Sequence, residues 1–394
     1  MMRTLMILGA GIYQLPLIKT ARNLGLRTIV VTPPGNYPGI QEADLWCDAD
    51  TRDCEYILEI ARAQKIDGIC TSGTDVAVRS LGYVCDALRL PGITYEAARN
   101  ATDKRLMKEA FQNHGVSTAP FRIAHDVAEA RTAAKDIGLP VMMKATDSSG
   151  SRGISKVSRE EDIDRAFQES SEITRNSYVI VEKFIEGFEI GVDGFVDEEG
   201  NPSIILPHGK FVYTTDAASI PQGHYFPLNV EKSVVAAIRN EAVKASQALG
   251  LSSCAFNSDV LINDDGVHVI EMGGRTGATC IPELISIHTG FNWYEKIIRV
   301  ALGEQVSFDG ATSVPCMAKI LVSPITSRVE SIRWKTIHQL EQNGVEVVLD
   351  VRKGDTIHQV ENGTDRFGHV IVRERSEDQL DDLINRVESC IVRS

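Results

Sequence analysis

Three features of the sequence predict an α/β chain built in three parts. Strand-like and helix-like segments alternate over residues 1–100, the rhythm breaks at Pro120 and resumes as an α+β pattern, and the last ninety or so residues carry a run of strands closed by one helix. In order, the first part reads "TLMILGAG", "QLPLIKTARNLG", "RTIVVTP", "CEYILEIARAQK" and "DGICTSG". That is β-α-β-α-β, and it predicts a parallel, doubly wound, Rossmann-like sheet. "LPGITYEAARNATDKRLMKEAFQNHGVSTAP" then predicts a strand and a helix with Asp103 and Lys104 in its early turns. A central domain over 101–303 follows, with a small α+β lobe at about 121–184 and a larger lobe of long strands and helices after it. The C-terminal α+β domain, 304–394, has strands at "CMAKILVS", "VEVVLDV" and "GHVIVRE" before the helix "EDQLDDLINRVESCIV".

Composition removes several functions. With a net charge of −13 the chain advertises no basic face for a phosphate backbone, so no nucleic-acid partner is expected. The apolar start, Leu5 to Leu8, is stopped by Gly9 and Gly11. It is too short for a membrane span and lacks a cleavage pattern, so a cytoplasmic protein with no membrane partner is expected. The 8 cysteines form no C-x-x-C pair, which fits reduced thiols rather than zinc or disulfides.

Gly9, Gly11 and Gln14 make a G-x-G-x-x-Q turn without the third glycine of a dinucleotide fingerprint, and "TIVVTPPG" ends without the acid that takes a ribose hydroxyl. A nicotinamide site is therefore not expected. In "VMMKATDSSGSRGI", Lys144 ends a strand, and the loop Asp147 to Gly153 leads into another strand, "GISKV". The next helix is expected at Ser158, where Ser158 and Glu161 have capping-box spacing. A Walker loop feeds a helix, so this order predicts a phosphate-covering flap with Ser148, Ser149 and Ser151 hydroxyls and backbone N–H groups as donors. Taken alone the loop also fits an ordinary hairpin.

"SYVIVEKFIEGFEIGVDGFV" ends a buried strand at Glu182, Lys183 and Phe184. Adenine needs an acceptor for its amine and a backbone donor for its ring, roles open to Glu182 and to the Phe184 and Ile185 backbone. Glu189 alternates with Gly191 and Asp193 on one strand face, where its carboxylate can accept from ribose. In "FNSDVLINDDGVHVIEMGGRTG", Asp259 and Glu271 lie equally far from Asp265 in a hairpin and are expected to be cross-strand neighbours. Opposed carboxylates repel unless a cation such as Mg²⁺ lies between them. Arg275 follows Gly273 and Gly274, which leave room for an anion to reach its guanidinium.

These residues resemble the ATP-grasp superfamily from about Met1 to Gly303. The resemblance implies that Lys104 and Lys144 are nucleotide lysines. It makes Ser148, Ser149, Gly150, Ser151 and Gly153 the phosphate flap, and Glu182, Lys183, Phe184, Ile185 and Glu189 the adenine and ribose segment. Asp259 and Glu271 become magnesium ligands, and Arg275 steadies the transferred phosphate, with Lys144 beside it in catalysis. The chain departs from the superfamily in two places, with Asp259 where many members carry Glu and with Gly273 in place of an amide ligand. "EMGGRTG" and "GVEVVLDVRKGDTIHQVENGTDRFGHVIV" look closer to L-amino-acid ligases and related carboxylate–amine ligases. That implies ATP and Mg²⁺ as cofactors and a carboxylate and an amine as small-molecule partners, joined through an acyl phosphate, and it leaves room for a homodimer. A phosphotransferase with no amine step and a non-catalytic nucleotide-binding module are the competing readings. His208, Lys210, Tyr213, His224 and Asp75 are candidates for substrate contact, although the two histidines, which have no metal-like spacing, read rather as surface or hydrogen-bonded side chains.

Overall fold

Every residue of β1 (Thr4–Leu8) is buried, as a central parallel strand covered on both faces requires. A proline in the first turn starts α1 (Leu15–Asn23), which buries Leu17, Ile18 and Ala21. With β2 (Arg27–Thr32), β3 (Leu45–Asp48), α2 (Cys54–Gln64) and β4 (Gly68–Cys70), the chain builds a parallel sheet in the order β3-β2-β1-β4. The alternation predicted this sheet except for β3, an edge strand with every second residue exposed. The fold is a computed structural model that describes residues 2–146, 153–214, 219–361 and 365–394. It divides into two compact units: 1–206, 230–277 and 294–308 form the first, and 207–229, 278–293 and 309–394 the second.

After α3 (Val78–Leu88) the expected strand at "LPGIT" does not form. Two short helices stand in place of the one expected: α4 (Tyr95–Asn100), capped by Thr94, and α5 (Lys104–Asn113), capped by Asp103. The Asp103 carboxylate accepts from the Arg105 and Leu106 N–H groups, so Asp103 starts the helix instead of lying within it.

The small lobe comprises β5 (Phe121–Ala124), α6 (Val127–Ile137), β6 (Val141–Lys144), β7 (Ile154–Val157), α7 (Ile163–Ile173) and β8 (Val179–Lys183). Its antiparallel sheet, β5-β8-β6-β7, packs Val141, Met143, Val179 and Val181 against Ala130, Ala133, Ala134, Ile163 and Phe167 of the helices. The expected helix start at Ser158 is corrected to Ile163, after a 3-10 turn at Glu160–Asp162 that has no side-chain cap. Arg159 takes Glu161 at 2.7 Å and Asp162 at 2.9 Å, which removes the glutamate that the capping box needed.

The larger lobe of the first unit begins with β9 (Phe188–Val196). The chain passes through β10 (Pro202–Thr214) and β11 (Ser219–Phe226), then forms α8 (Lys232–Leu249), β12 (Cys254–Asn263) and β13 (Gly266–Gly273). Strands β13, β12 and β9 are antiparallel neighbours in that order. Ile190, Val192, Val260 and Met272 are buried on one face of this sheet.

The second unit contains α9 (Ile281–Thr289), while α10 (Trp293–Ala301) lies almost wholly in the first. It continues with β14 (Cys316–Val322), β15 (Ser327–Ile332), α11 (Trp334–Glu341), β16 (Glu346–Leu349), β17 (Thr356–Ile357), β18 (Arg366–Arg373), α12 (Glu377–Ser389) and β19 (Ile391–Arg393). The strands expected from sequence are β14, β16 and β18, and the closing helix is α12, started by a complete Ser376–Gln379 capping box. Phe367, Val370, Val372, Leu380 and Val387 centre its core. All eight cysteines are free. Among the described residues no helix is long and apolar enough to cross a membrane.

Candidate active site

In the G-x-G-x-x-Q turn the glutamine side chain folds back onto its own loop and the end of β4. The Gln14 Oε1 accepts from the Gly11 N–H at 2.9 Å, and the side-chain amide reaches the Ser72 carbonyl.

The acid pair is set by the β12–β13 hairpin. Asn263 pairs with Gly266 across a two-residue turn, Asp264-Asp265, so the centre of the hairpin is not Asp265. A register shift after Asp259 compensates: Val260 faces Val269, and the extra residue on β13 brings Asp259 opposite Glu271. On the other side, Asp259 faces Gly191 and Asn257 faces Asp193 of β9. Cross-strand partners share a face, so Asp193, Asn257, Asp259, Glu271 and Gly273 stand on the face opposite the apolar one.

Three lysines approach this region. Lys104, the first residue of α5, brings its Nζ to 3.6 Å from Glu271 Oε2. One turn on, Lys108 is buried and donates to Glu182 Oε1 at 2.9 Å and to Thr118 Oγ1 at 2.6 Å. Lys144, at the end of β6, lies 2.8 Å from Glu182 Oε2. Burial works to raise the Glu182 pKa, yet the two lysines outweigh it and hold the carboxyl at about 2. Burial also works to lower Lys144, but Glu182, Glu271 and Glu189 overcome it and raise the pKa. For Lys108 burial wins, helped by the Lys144 charge, and the pKa is lowered. Lys108 was absent from the sequence reading. Its one signal was a lysine next to Met107 on the helix face that buries Met107 and Phe111.

At the end of β8 the Glu182 side chain faces Lys108 and Lys144. The Phe184 N–H, one of the expected ring donors, donates to the Pro140 carbonyl at 3.2 Å. Lys183 Nζ donates to the Gly138 carbonyl at 2.8 Å, and Lys156 lies 3.6 Å from the centre of the Phe184 ring. Glu189, on β9, pairs in register with Leu261 and contributes to the field that raises Lys144.

The flap residues Ser148, Ser149, Gly150 and Ser151 lie outside the described residues. Gly153 closes the base of that loop, with a positive φ of 67°, and its carbonyl accepts from the Ala145 N–H at 2.8 Å. Strands β6 and β7 pair from Lys144↔Ile154 onward, giving the strand–loop–strand order read from the sequence.

Arg275 is fixed by a chain of polar contacts. Asp193 accepts from Asn257 Nδ2 at 2.7 Å and from the Gly277 N–H at 3.0 Å. With its amide so oriented, Asn257 Oδ1 accepts from Arg275 Nη1 at 3.1 Å, while Nη2 donates to Asp75 Oδ2 at 2.5 Å. The structure therefore joins Asp75 to Arg275, and Lys104, Lys108 and Lys144 to Glu271 and Glu182. His208 and His224 belong to the second unit, where both are buried and pack edge to face at 4.9 Å, so a surface position is ruled out for them.

Residues 137–283 match the model of an ATP-grasp domain, and residues 319–392 match L-amino acid ligase C-terminal domain 2. Alanine–anticapsin ligase of Bacillus subtilis is 25% identical over 254 residues, 58% of this chain and 53% of that protein. The chain spans between half and two thirds of the length of such curated relatives. A solved structure of L-amino acid ligase from Bacillus licheniformis superposes with a TM-score of 0.82 at 18% identity, covering 100% of this chain and 98% of that one, which shows a shared fold. Phosphoribosylglycinamide synthetase from Anaerococcus prevotii superposes with a TM-score of 0.83 at 32% identity, covering 100% of this chain and 99% of that one. Likeness at that identity over the whole length shows that the chain belongs to the ATP-grasp family.

Proposed function

We propose that the protein is an ATP-dependent carboxylate–amine ligase acting on amino-acid-like substrates. A carboxylate takes the γ-phosphoryl group to give an acyl phosphate and ADP, an amine attacks the acyl carbon, and phosphate leaves. The observation that carries this reading is the in-register pair Asp259–Glu271 with Lys104 on one acid and Arg275 two residues beyond its strand. The opposed carboxylates fit Mg²⁺: no third acid, histidine or cysteine joins them among the described residues, and Mg²⁺ is usually held by one or two carboxylates plus phosphate oxygens. Bound there, the ion would neutralise triphosphate charge. Lys104 and Lys144 would hold phosphate oxygens, the Ile185 backbone and Glu189 the nucleoside, and the guanidinium of Arg275 the developing charge on the phosphoryl group. The matches to alanine–anticapsin ligase and to an L-amino acid ligase C-terminal domain support amino acids as the substrate class.

The test is a matrix of carboxylates and amines, including amino acids, screened for ATP-dependent phosphate release with mass detection of products. A new amide with one ADP and one phosphate per bond is expected; a phosphorylated product with no amide would replace this reading by phosphotransfer.

Two substitutions probe the assigned roles. Lys144→Ala is expected to weaken ATP binding about 10- to 100-fold in a calorimetric titration, because a charge-assisted contact contributes roughly 1.5–3 kcal/mol. Unaltered affinity would take Lys144 out of the nucleotide site. Asp259→Asn and Glu271→Gln are each expected to reduce turnover and raise the magnesium requirement, with the double variant losing less than the product of the two. Fully multiplicative losses at an unshifted magnesium midpoint would show that the two acids do not share an ion.

A further inference from the structure

Lys108 is 2% exposed, and its ammonium is held at two points, Glu182 Oε1 at 2.9 Å and Thr118 Oγ1 at 2.6 Å. Thr118 donates in turn to the Val269 carbonyl at 2.7 Å, so Lys108 is tied to β13 as well as to β8. Stability does not ask for this lysine: its ammonium loses hydration on burial, and Glu182 without it would still have Lys144 as a matched partner. What Lys108 changes is the state of Lys144.

The register of β6 and β8 sets Lys144 opposite Ile180 and Met142 opposite Glu182, which puts Lys144 and Glu182 on one face of the small-lobe sheet. Val141, Met143, Val179 and Val181 pack on the helices from the other face. With Lys144 Nζ 2.8 Å from Glu182 Oε2, the two alone would make a neutral ion pair, and a phosphate oxygen would have to compete with the carboxylate for the ammonium. Lys108 breaks that balance. It engages Oε1 while Lys144 lies against Oε2, so one negative charge is divided over two ammonium groups. Helix α5 also packs on α8 and β13, and the acids there have donors of their own. Glu271 of β13 has Lys104 at 3.6 Å, and Glu241 of α8 has Lys244 at 2.7 Å and the Ser117 N–H at 2.7 Å.

We propose that Lys108 is a positioning residue for the phosphate-binding lysine. It does not meet the nucleotide; by drawing one Glu182 oxygen to itself it stops Lys144 and Glu182 from closing as a neutral pair and keeps the Lys144 charge available to a triphosphate oxygen. The inference rests on the reading of Lys144 as a nucleotide lysine and adds the reason a second, inaccessible lysine stands behind it.

The test is a calorimetric titration of the full chain, in magnesium, with ATP and separately with adenosine, which carries no phosphate. Lys108→Met and Lys108→Gln, the second still able to donate a hydrogen bond to Glu182, are expected to bind ATP about 10-fold more weakly and adenosine as the wild type does. Lys108→Met combined with Glu182→Gln restores one positive charge in excess. It is expected to return ATP affinity to the wild-type level, whereas a lysine that touches the phosphates itself would leave the loss in place. Equal losses for ATP and adenosine would make Lys108 a support of the fold and overturn the proposal. Full ATP affinity in either single variant overturns it too, as does a loss that the double variant does not recover. Wild-type protein with no affinity for ATP overturns it together with the nucleotide reading beneath it. The matrix of carboxylates and amines keeps the ligase reading apart. The expected pattern of ATP affinities with no amide product sinks the ligase and leaves Lys108 in its role, whereas amide product with ATP affinity indifferent to Lys108 sinks only that role.

Discussion

Glu182→Gln is expected to lower the unfolding free energy by about 3–5 kcal/mol, the usual cost of leaving a buried charge without its partner. Among the described residues Glu182 is the one carboxylate in ion-pair contact with both Lys108 and Lys144, at 2.9 and 2.8 Å, and all three side chains are at least nine-tenths buried. Removing it leaves two cations facing each other in a low-dielectric interior. Lys108→Met is expected to cost under about 1 kcal/mol, because Glu182 and Lys144 remain a matched pair and Thr118 keeps its bond to the Val269 carbonyl. Adding Lys108→Met to Glu182→Gln should recover part of the loss. Denaturation midpoints at a common m-value check all three, and a Lys108→Met variant as unstable as Glu182→Gln would refute the arrangement. The pH dependence has a fixed sign. Glu182 is depressed from 4.5 to about 2 on folding, so its stabilisation is complete above pH 4.5 and lost as the pH falls toward 2. That shift corresponds to about 3 kcal/mol, in line with the cost of the substitution. Two buried lysines share one acid, an excess of one positive charge that a triphosphate oxygen would balance in the proposed reaction.

How much of this was legible in the sequence depends on how local the determinant is. The alternation that gives β1, α1, β2, α2 and β4 is a property of adjacent residues, and it held element by element. Asp259 opposite Glu271 was legible too, but through two local errors that cancelled: the turn is centred between Asp264 and Asp265, and a one-residue bulge restores the register. Spacing alone reports neither a bulge nor its place. The role of Lys108 was not legible, since its partner Glu182 is 74 positions away and nothing near Lys108 marks it as ionically buried. Nor was the pairing of Asp75 with Arg275, separated by 200 positions, or the use of the Phe184 N–H by the Pro140 carbonyl. The edge strand β3 escaped because its four-residue segment "LWCD" is too short for a period to show. Patterns with a period were readable; contacts that depend on how loops close were not.

Arg275→Ala is expected to reduce phosphate release and hydroxylamine trapping together by about 10²–10³-fold, the scale of losing one preorganised charge-stabilising donor. The assay gives the enzyme ATP, magnesium and a carboxylate without an amine. If the carboxylate is phosphorylated first, the acyl phosphate reacts with hydroxylamine to give a hydroxamate, because that nucleophile substitutes for the amine at an activated acyl carbon. Arg275 is suited to the role by its fixation: Asn257, itself oriented by Asp193, and Asp75 hold both Nη atoms, so the guanidinium costs little reorganisation as charge develops. Arg275→Lys separates charge from shape. A lysine keeps one positive charge but cannot satisfy Asn257 and Asp75 in a planar fork, so most of the loss should remain. If lysine restores full trapping, the role of Arg275 is charge alone and the polar chain behind it is structural. A phosphotransferase acting on a hydroxyl would form a stable phosphoester and no hydroxamate, and a nucleotide-binding module would form neither. A carboxylate that supports both ADP formation and amide synthesis, yet yields no hydroxamate even with a non-reactive amine analogue present, would sink the acyl-phosphate order. The analogue matters because an enzyme that must bind its amine before transferring the phosphoryl group would otherwise give the same silence.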